Sequence, residues 1–198
     1  MCVSSIAAAY AGAELRRAGI RLSGGINVTA SHNPKEYNGY KVYWQDGAQL
    51  PPQHAAAIAR ELEQIDIFTG IRRMEFDDAK AQGLIEIMGA ETDERFMSHV
   101  MAMVNDRESM AKVADTFHMV YTPFHGCGWK LVPEALRGLG VKHLHCVPEQ
   151  MVLDGSFPTV VSPNPENPEL RPGRGAGQGK RRGLHPGSDP DADRVASW

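Results

Sequence analysis

The chain has 198 residues and a formal net charge of −3, from 21 basic and 24 acidic side chains. This length is enough to bury a hydrophobic core and to form one or two domains. The near balance of charge excludes bulk electrostatic attraction to nucleic acid or to an anionic membrane as the basis of function. We therefore expect neither nucleic acid nor a membrane among its partners.

Cysteine usage and apolar runs bear on the compartment. Cys2, Cys127 and Cys146 are odd in number and show no paired spacing, which is typical of a reducing compartment. No run approaches the ~20 apolar residues of a membrane span. Residues 2–12 are mildly apolar but lack the basic stretch that opens a secretory signal. The sequence therefore predicts a cytoplasmic protein.

The first informative segment is a short strand followed by a tight loop around Ser31. Ile26 and Val28 belong to the predicted strand, and Lys41 lies on a second predicted strand over residues 40–44. A serine hydroxyl is a poor nucleophile at neutral pH unless a neighbouring base or metal activates it. On its own, a Ser-His-Asn sequence is more typical of an ordinary turn. A functional role for Ser31 therefore needs partners from elsewhere in the chain.

Helices and strands alternate through the middle of the sequence. The predicted elements are a helix over residues 51–65, a helix over 92–104 capped by Thr92, a strand over 117–121, a helix over 130–139, a strand over 141–147 and a strand near 159–161. Pro51 and Pro52 suit the first turn of the first helix, and Gly138 and Gly140 end the third. This alternation predicts an α/β fold with mixed or parallel sheets and flanking helices.

Two histidine-containing motifs in this region invite functional interpretations. His125-Gly-Cys-Gly could pair a Cys127 nucleophile with a histidine, but the flanking glycines favour a tight strand-to-helix turn, and no base partner is indicated. His143 and His145 alternate on one strand face and could form a metal pair. Since no third ligand follows at a convincing spacing, histidines on the solvent face of a strand are the better interpretation.

Residues 170–187 do not fit the alternation of strands and helices. They contain six Gly, four Arg, one Lys and two Pro, with no acidic residue. A parallel crossover here usually requires a helix, but each interior Gly costs about 1 kcal/mol and each Pro about 3 kcal/mol of helix stability. Read in a frame shifted by one base, with permissible codons, the segment becomes a helix followed by a buried strand. We therefore hypothesise an out-of-frame translation, restored before Ser188; a genuine flexible basic linker is the alternative.

The last motif, Ser-Asp-Pro-Asp-Ala-Asp-Arg over residues 188–194, places carboxylates at Asp189, Asp191 and Asp193. Three carboxylates at alternate positions of a tight loop form a hard-oxygen site suited to Mg²⁺. An EF-hand is excluded because Arg194 stands where that loop needs Gly, and Trp198 ends the sequence before the bidentate Glu. A solvated acidic turn is the structural alternative.

Five segments, taken together, resemble the α-D-phosphohexomutases, the phosphoglucomutase/phosphomannomutase superfamily. In chain order they are Thr-Ala-Ser-His-Asn-Pro (29–34), Tyr-Thr-Pro-Phe-His-Gly-Cys-Gly (121–128), Asp-Gly-Ser-Phe-Pro (154–158), Asn-Pro-Glu-Asn-Pro (164–168) and Asp-Pro-Asp-Ala-Asp-Arg (189–194). The resemblance covers residues 24–168 and resumes over 187–195. One hexapeptide would be a weak signal, whereas five in the family's order are specific.

The resemblance implies two incomplete domains of a four-domain architecture, with residues 1–90 holding a phosphoserine loop and residues 91–198 ending at a metal loop. It implies a phosphotransferase that interconverts hexose 1-phosphate and hexose 6-phosphate through a phosphoserine and a hexose 1,6-bisphosphate. Phosphopentomutase activity is one alternative. A non-catalytic Mg²⁺- or phosphate-binding remnant of a decayed or frameshifted gene is another. Because substrate clamps of the later domains are missing, we expect little or no turnover from this polypeptide alone.

Individual residues receive roles from the same resemblance. Ser31 carries the phosphoryl group, and its phosphate joins Asp189, Asp191 and Asp193 in holding Mg²⁺. Phosphoryl transfer depends mainly on positioning and charge neutralisation, which explains the pairing of a serine loop with a metal loop.

The remaining assignments surround that pair. Lys41 is implicated in proton transfer beside the phosphoserine. His32 is either a hydrogen-bond donor to the phosphoserine or merely structural, and Asn33 is a phosphate contact. Arg194 either binds the phosphate or forms a salt bridge that holds the aspartate loop.

Overall fold

The computed structural model of the protein describes residues 24–44, 46–167 and 183–197. Its elements are β1 (Gly25–Val28), β2 (Tyr40–Tyr43), α1 (Pro52–Leu62), α2 (Phe76–Ala81), α3 (Ala90–Ala102), α4 (Arg107–Val113), β3 (His118–Tyr121), α5 (Leu131–Gly138), β4 (His143–Cys146), β5 (Gly183–Leu184), β6 (Pro186–Ser188) and β7 (Val195–Ser197). The predicted α/β fold with mixed sheets and flanking helices is confirmed. Most of the segment that we hypothesise to be out of frame, residues 170–187, lies outside the described residues, which resume at residue 183.

The central sheet has the strand order β4-β3-β5, and both pairs are parallel. Because α5 lies between β3 and β4 in the chain, these three elements form a crossover unit of the kind that the sequence predicts. The carboxyl ends of parallel strands lie at the same edge of a sheet. Thr122, directly after β3, forms an isolated parallel bridge with Gly187 of β6, so the chain from β5 into β6 also passes this edge.

β1 and β2 form a separate antiparallel pair, in which Asn27 lies opposite Lys41. Side chains alternate across a strand, so Asn27 and Lys41 share one face of this pair. Asn27 is buried, whereas Ile26 and Val28, on the other face, are 69% and 65% exposed. The face that carries Lys41 is therefore the one turned towards the rest of the described chain.

Two sequence predictions are wrong in this part of the molecule. Residues 159–161 form no strand; Phe157 has a φ of +49°, and the bonds Phe157 N–H to Asp154 O and Val160 N–H to Phe157 O make successive turns. Helix α3 is not capped by Thr92, because its N-cap is Gly89 and Thr92 N–H already donates to Gly89 O at 3.1 Å. Local backbone hydrogen bonds override the sequence pattern in both cases.

Most of the buried apolar side chains of the described residues lie on β3, in the turn after it or on the helices and loops of residues 90–141: Met119, Tyr121, Phe124, Val141, Ala114 and Met97; Ala79 of α2 is buried as well. Tyr121 and Phe124 are only 1% exposed, so the end of β3 and the turn that follows it are the most enclosed part of this core. Among the described helices, none combines the length and apolar character needed to cross a bilayer.

We predict a clear difference between two valine truncations. Val141 is 3% exposed, whereas Val161 is 89% exposed. Val141→Ala should lower the free energy of unfolding by about 1.5–3 kcal/mol, since it leaves a cavity in the core. Val161→Ala deletes the same atoms from a side chain that is already in solvent, and it should change the free energy of unfolding by no more than about 0.5 kcal/mol. Urea denaturation followed by circular dichroism measures both; equal losses would contradict the placement of the core.

Candidate active site

The aspartate loop, residues 189–194, connects the antiparallel strands β6 and β7. Asp189 closes this loop in two ways: its N–H donates to Arg194 O at 3.2 Å, and its Oδ1 accepts from Asp193 N–H and Arg194 N–H at 3.1 and 3.0 Å. Ala192 has a φ of +55°, which completes the tight reversal. The alternate positions 189, 191 and 193 are thereby turned towards one point.

The three carboxylates meet there. Each of Asp189, Asp191 and Asp193 offers an oxygen, and these oxygens lie within 4.8 Å of one another. Asp189 and Asp191 are completely buried, whereas Asp193 is exposed. Elsewhere in the described ranges, no group of three or more His, Cys, Asp or Glu side chains comes this close.

Burial and a hydrogen bond with Asp191 raise the pKa of Asp189 from its ordinary value of 3.8 to about 7. The pKa of Asp191 is lowered: burial opposes its ionisation, but hydrogen bonds from Asp189 and from Lys41 outweigh that effect. Below about pH 7, therefore, Asp189 is the protonated partner and donates to the ionised Asp191. Ionising both buried carboxylates is energetically unfavourable unless a further positive charge is added.

These residues fit a divalent metal ion. Carboxylate oxygens are the hard ligands that Mg²⁺ prefers, and a nearby cation would compensate the charge that the buried pair otherwise relieves by protonation. The predicted set of metal ligands is thus brought together by the described structure, together with the hydroxyl of Ser31.

Ser31 lies at the turn of the loop that follows β1, with a φ of +55°. Its Oγ donates to Asp189 Oδ2 at 3.0 Å and to Asp191 Oδ1 at 3.2 Å, across 158 and 160 positions of the chain. His32 Nδ1 lies 3.3 Å from the same Oγ. The serine loop and the aspartate loop therefore share one site.

Thr29 is a site residue that the sequence analysis did not identify. Its Oγ1 accepts from Ser31 N–H at 2.8 Å and donates to Asp191 Oδ2 at 3.3 Å. One hydroxyl thus fixes the strained backbone of Ser31 and orients a buried carboxylate. The available signal was a hydroxyl residue two positions before Ser31, a spacing typical of side-chain-to-backbone turns.

Lys41 enters the site from β2. Its Nζ lies 2.9 Å from Asp191 Oδ2 and 2.8 Å from Asp193 Oδ2. Partial burial would lower the pKa of Lys41, but hydrogen bonds and charge interactions with these two carboxylates raise it above its ordinary value. The ammonium group is therefore firmly charged and neutralises part of the acidic loop.

The side chains of the two predicted phosphate contacts, Arg194 and Asn33, are not directed at the carboxylates. Arg194 pairs through Nη1 with Glu166 Oε1 at 3.7 Å. Its hydrogen bonds with Asp189 are made by its backbone, whose N–H donates to Asp189 Oδ1 and whose carbonyl oxygen accepts from Asp189 N–H. Of the two roles weighed for Arg194, the structure thus shows an ion pair, but with Glu166 rather than with the aspartate loop. Asn33 is exposed, and its backbone N–H donates to Ala30 O at 3.1 Å.

The histidines of the two motifs are held by contacts with neighbouring side chains and backbone groups, and these contacts do not form a catalytic or metal site among the described residues. His125 has a φ of +65° in the predicted turn, and its ring bonds Val152 O at 2.9 Å and Thr159 Oγ1 at 2.8 Å. Both ring nitrogens are therefore engaged away from Cys127. His143 stacks on His118, with ring centroids 4.6 Å apart, and does not belong to a three-ligand cluster of the described residues.

The raised pKa of Asp189 predicts how stability depends on pH. The folded protein holds this proton more tightly than the unfolded chain, so the contribution is complete below about pH 4 and is lost as the pH rises through about 7. In metal-free buffer, the free energy of unfolding should fall between about pH 5 and about pH 8, and Asp189→Asn should make this fall shallower. Urea midpoints across that range measure the slopes. Asp46→Asn, on an exposed turn, is the control; if Asp189→Asn keeps the wild-type slope as this control does, the prediction is wrong.

Known proteins resemble this chain in the regions that contain the serine loop and the aspartate loop. The sequence profile of phosphoglucomutase/phosphomannomutase alpha/beta/alpha domain I matches residues 3–67, and that of domain II matches residues 94–197. Phosphoribomutase of Saccharomyces cerevisiae is 35% identical over 190 residues, which cover 89% of this chain and 30% of that protein. Phosphoglucomutase of Staphylococcus saprophyticus is 30% identical, with coverage of 89% and 31%. Human phosphopentomutase is 32% identical, with coverage of 89% and 29%.

Solved structures agree on the fold. Parafusin, a phosphoglucomutase from Paramecium, superposes with a TM-score of 0.70 at 18% identity, covering 98% of this chain and 38% of that one. A phosphoglucomutase/phosphomannomutase family protein from Burkholderia thailandensis gives 0.58 at 18% identity, with coverage of 87% and 32%. This chain spans about 30% of the length of its curated relatives. Since the domain II profile alone matches more than half of it, the chain belongs to the phosphoglucomutase/phosphomannomutase family.

Proposed function

We propose that this site carries out the phosphoryl transfer of a phosphohexomutase, interconverting hexose 1-phosphate and hexose 6-phosphate through a phosphoserine and a hexose 1,6-bisphosphate. The observation that carries the proposal is the approach of Ser31 Oγ to Asp189 and Asp191, at 3.0 and 3.2 Å. A serine that carries a phosphoryl group beside a buried acidic cluster is otherwise a poor arrangement, because phosphate and carboxylate repel. It becomes sensible when a divalent cation lies between them.

Mg²⁺ would be held by Asp189, Asp191 and Asp193 together with an oxygen of the phosphate on Ser31. When bound, it supplies positive charge that offsets the charge on the transferring phosphoryl group. The left-handed turn at Ser31, fixed by Thr29, presents the hydroxyl at the surface of the loop, where a sugar phosphate can approach it.

Lys41 is proposed as the proton-transfer group and His32 as a hydrogen-bond partner of the serine oxygen. In the metal-free arrangement, the Lys41 ammonium is engaged by two carboxylates, so metal binding would release it towards the reacting oxygens. Arg194 and Asn33 are proposed phosphate contacts. For Arg194 this requires the guanidinium to leave Glu166. The free energy lost would be small, because the two groups are 3.7 Å apart and both side chains are exposed.

A pentose phosphate is the second candidate substrate. It is favoured by the phosphoribomutase and phosphopentomutase relatives, at 35% and 32% identity. A glucose 1,6-bisphosphate synthase from Homo sapiens is 35% identical as well, which supports a bisphosphate intermediate. These relatives match this chain over 87–89% of its length, so we propose that the same site chemistry serves either sugar.

The organisation of the chain forms part of the same proposal. We place a boundary near residue 90, between a first domain with the serine loop and a second with the aspartate loop. Because the chain spans about 30% of its relatives, we propose that these residues alone turn over sugar phosphates slowly. Cys127 and Cys146 are thiols rather than halves of a disulfide, which supports a reducing, cytoplasmic setting.

The decisive experiment is phosphorylation of Ser31. After incubation of the chain with glucose 1,6-bisphosphate and Mg²⁺, intact-mass spectrometry should detect one added phosphoryl group. Ser31→Ala should abolish it, whereas Ser109→Ala, a matched change on α4, should leave it unchanged. Phosphate on any other residue, or none on a chain that binds Mg²⁺, would contradict the assignment and favour a non-catalytic binding remnant.

Lys41 gives a second prediction, of the opposite sign to the usual effect of a site mutation. Its ammonium competes with a divalent cation for Asp191 and Asp193. Lys41→Met should therefore tighten Mg²⁺ binding at about pH 8, by roughly tenfold for charges at this separation. Titration calorimetry measures the affinity. Lys142→Met, which removes a lysine paired with the remote Asp115, should have no such effect; weaker binding by Lys41→Met would show that the ammonium assists the cation.

A further inference from the structure

The turn after β3, residues 122–128, takes no part in the proposed chemistry, yet its backbone lies directly against the aspartate loop. A Cβ atom on Gly126 would lie 2.3 Å from Pro190 Cα and 2.6 Å from Pro190 O. Cys127 N–H donates to that same carbonyl oxygen at 2.8 Å. Glycine is required here by the closeness of two backbones, which no side chain could enter without moving Pro190.

Gly128 makes a second close approach on the other side of Asp189. Its Cβ would lie 2.3 Å from Tyr121 Oη and 2.9 Å from Ser188 Oγ. These two oxygens are hydrogen-bonded at 2.8 Å, and both residues are buried. Ser188, which precedes Asp189, is thus held through its side chain by Tyr121. Pro190, which follows Asp189, is held through its backbone by the turn at Gly126.

The turn itself is held from behind. Phe124 and His125 have φ values of +46° and +65°, which non-glycine residues adopt only where their surroundings impose them. His125 N–H donates to Gln150 O at 2.9 Å, and its ring is fixed by Val152 and Thr159. A rigid turn therefore faces the aspartate loop.

We propose that Gly126 and Gly128 are positioning residues, which set the separation of Asp189 and Asp191 through Pro190 and Ser188 and so determine the affinity for the divalent cation. Pro190 lies between the two buried aspartates, so its backbone cannot shift without moving their carboxylates. This inference rests on the proposed function, because it concerns the same cation site. Groups behind metal ligands typically change metal affinity 10–100-fold when they are altered.

The experiment uses the full chain and Mn²⁺ as the probe, with free Mn²⁺ measured by electron paramagnetic resonance. Gly126→Ala should bind Mn²⁺ at least about tenfold more weakly than the unchanged chain. Gly155→Ala is the matched control, since a Cβ there meets nothing within 4 Å, and it should bind normally. For each protein, the rise in Tm that saturating Mn²⁺ causes is compared with its own metal-free Tm. This comparison separates weaker metal binding from a general loss of stability.

Tyr121→Phe is the second variant, for the case in which Gly126→Ala does not fold. It removes only the hydroxyl that holds Ser188 and should weaken Mn²⁺ binding several-fold while leaving the metal-free fold intact. Equal affinity in every folded variant would overturn this inference alone. If the unchanged chain binds Mn²⁺ no better than Asp189→Asn, both the proposed function and this inference fail.

Discussion

Two aspartate carboxylates buried side by side are the constraint on which the rest of the described structure depends. Asp189 and Asp191 are completely buried, and removing one ionised carboxylate from water is costly unless charge and hydrogen bonds compensate it. The compensation comes from a shared proton, the Lys41 ammonium, backbone N–H groups of the loop and the hydroxyl of Ser31. Each of these partners is fixed by a different element, so the elements must meet.

This requirement joins segments that are distant in the chain. The β1–β2 pair contributes Ser31 and Lys41 on one face, while the β6–β7 hairpin contributes the carboxylates. The parallel sheet supplies the support, because β3 ends in the turn that contacts Pro190. Burial of Tyr121 and Phe124 at this point means that the most enclosed apolar packing lies directly behind the charged loop. The core thus stabilises the position of the site as well as the fold.

The sequence was most informative where chemistry depends on residue type and spacing. Alternate aspartates and a serine loop are visible as motifs, and their meeting is what the resemblance to the phosphohexomutases implies. Thr29 was missed because its role comes from two hydrogen bonds that only the folded loop creates. The absent strand near residue 160 has a similar cause: Phe157 adopts a left-handed backbone that its residue type does not predict. Glu166 as the partner of Arg194 depends on tertiary contact alone.

Charge balance bears on the proposal that a serine beside three carboxylates carries a phosphoryl group. With all three ionised, the loop carries three negative charges against the single positive charge of Lys41, and a phosphate on Ser31 would add about two more. Protonation of Asp189 relieves one charge but removes a ligand oxygen.

A divalent cation offers another balance. Its two positive charges and the single charge of Lys41 equal the three negative charges of the carboxylates, so Asp189 can stay ionised. A phosphate then enters a site without net charge, and Arg194 is the basic side chain of this loop that could compensate it. The proposed carrier role of Ser31 is therefore conditional on the cation, and the role proposed for the rigid turn at Gly126 is to keep the ligands where that balance holds.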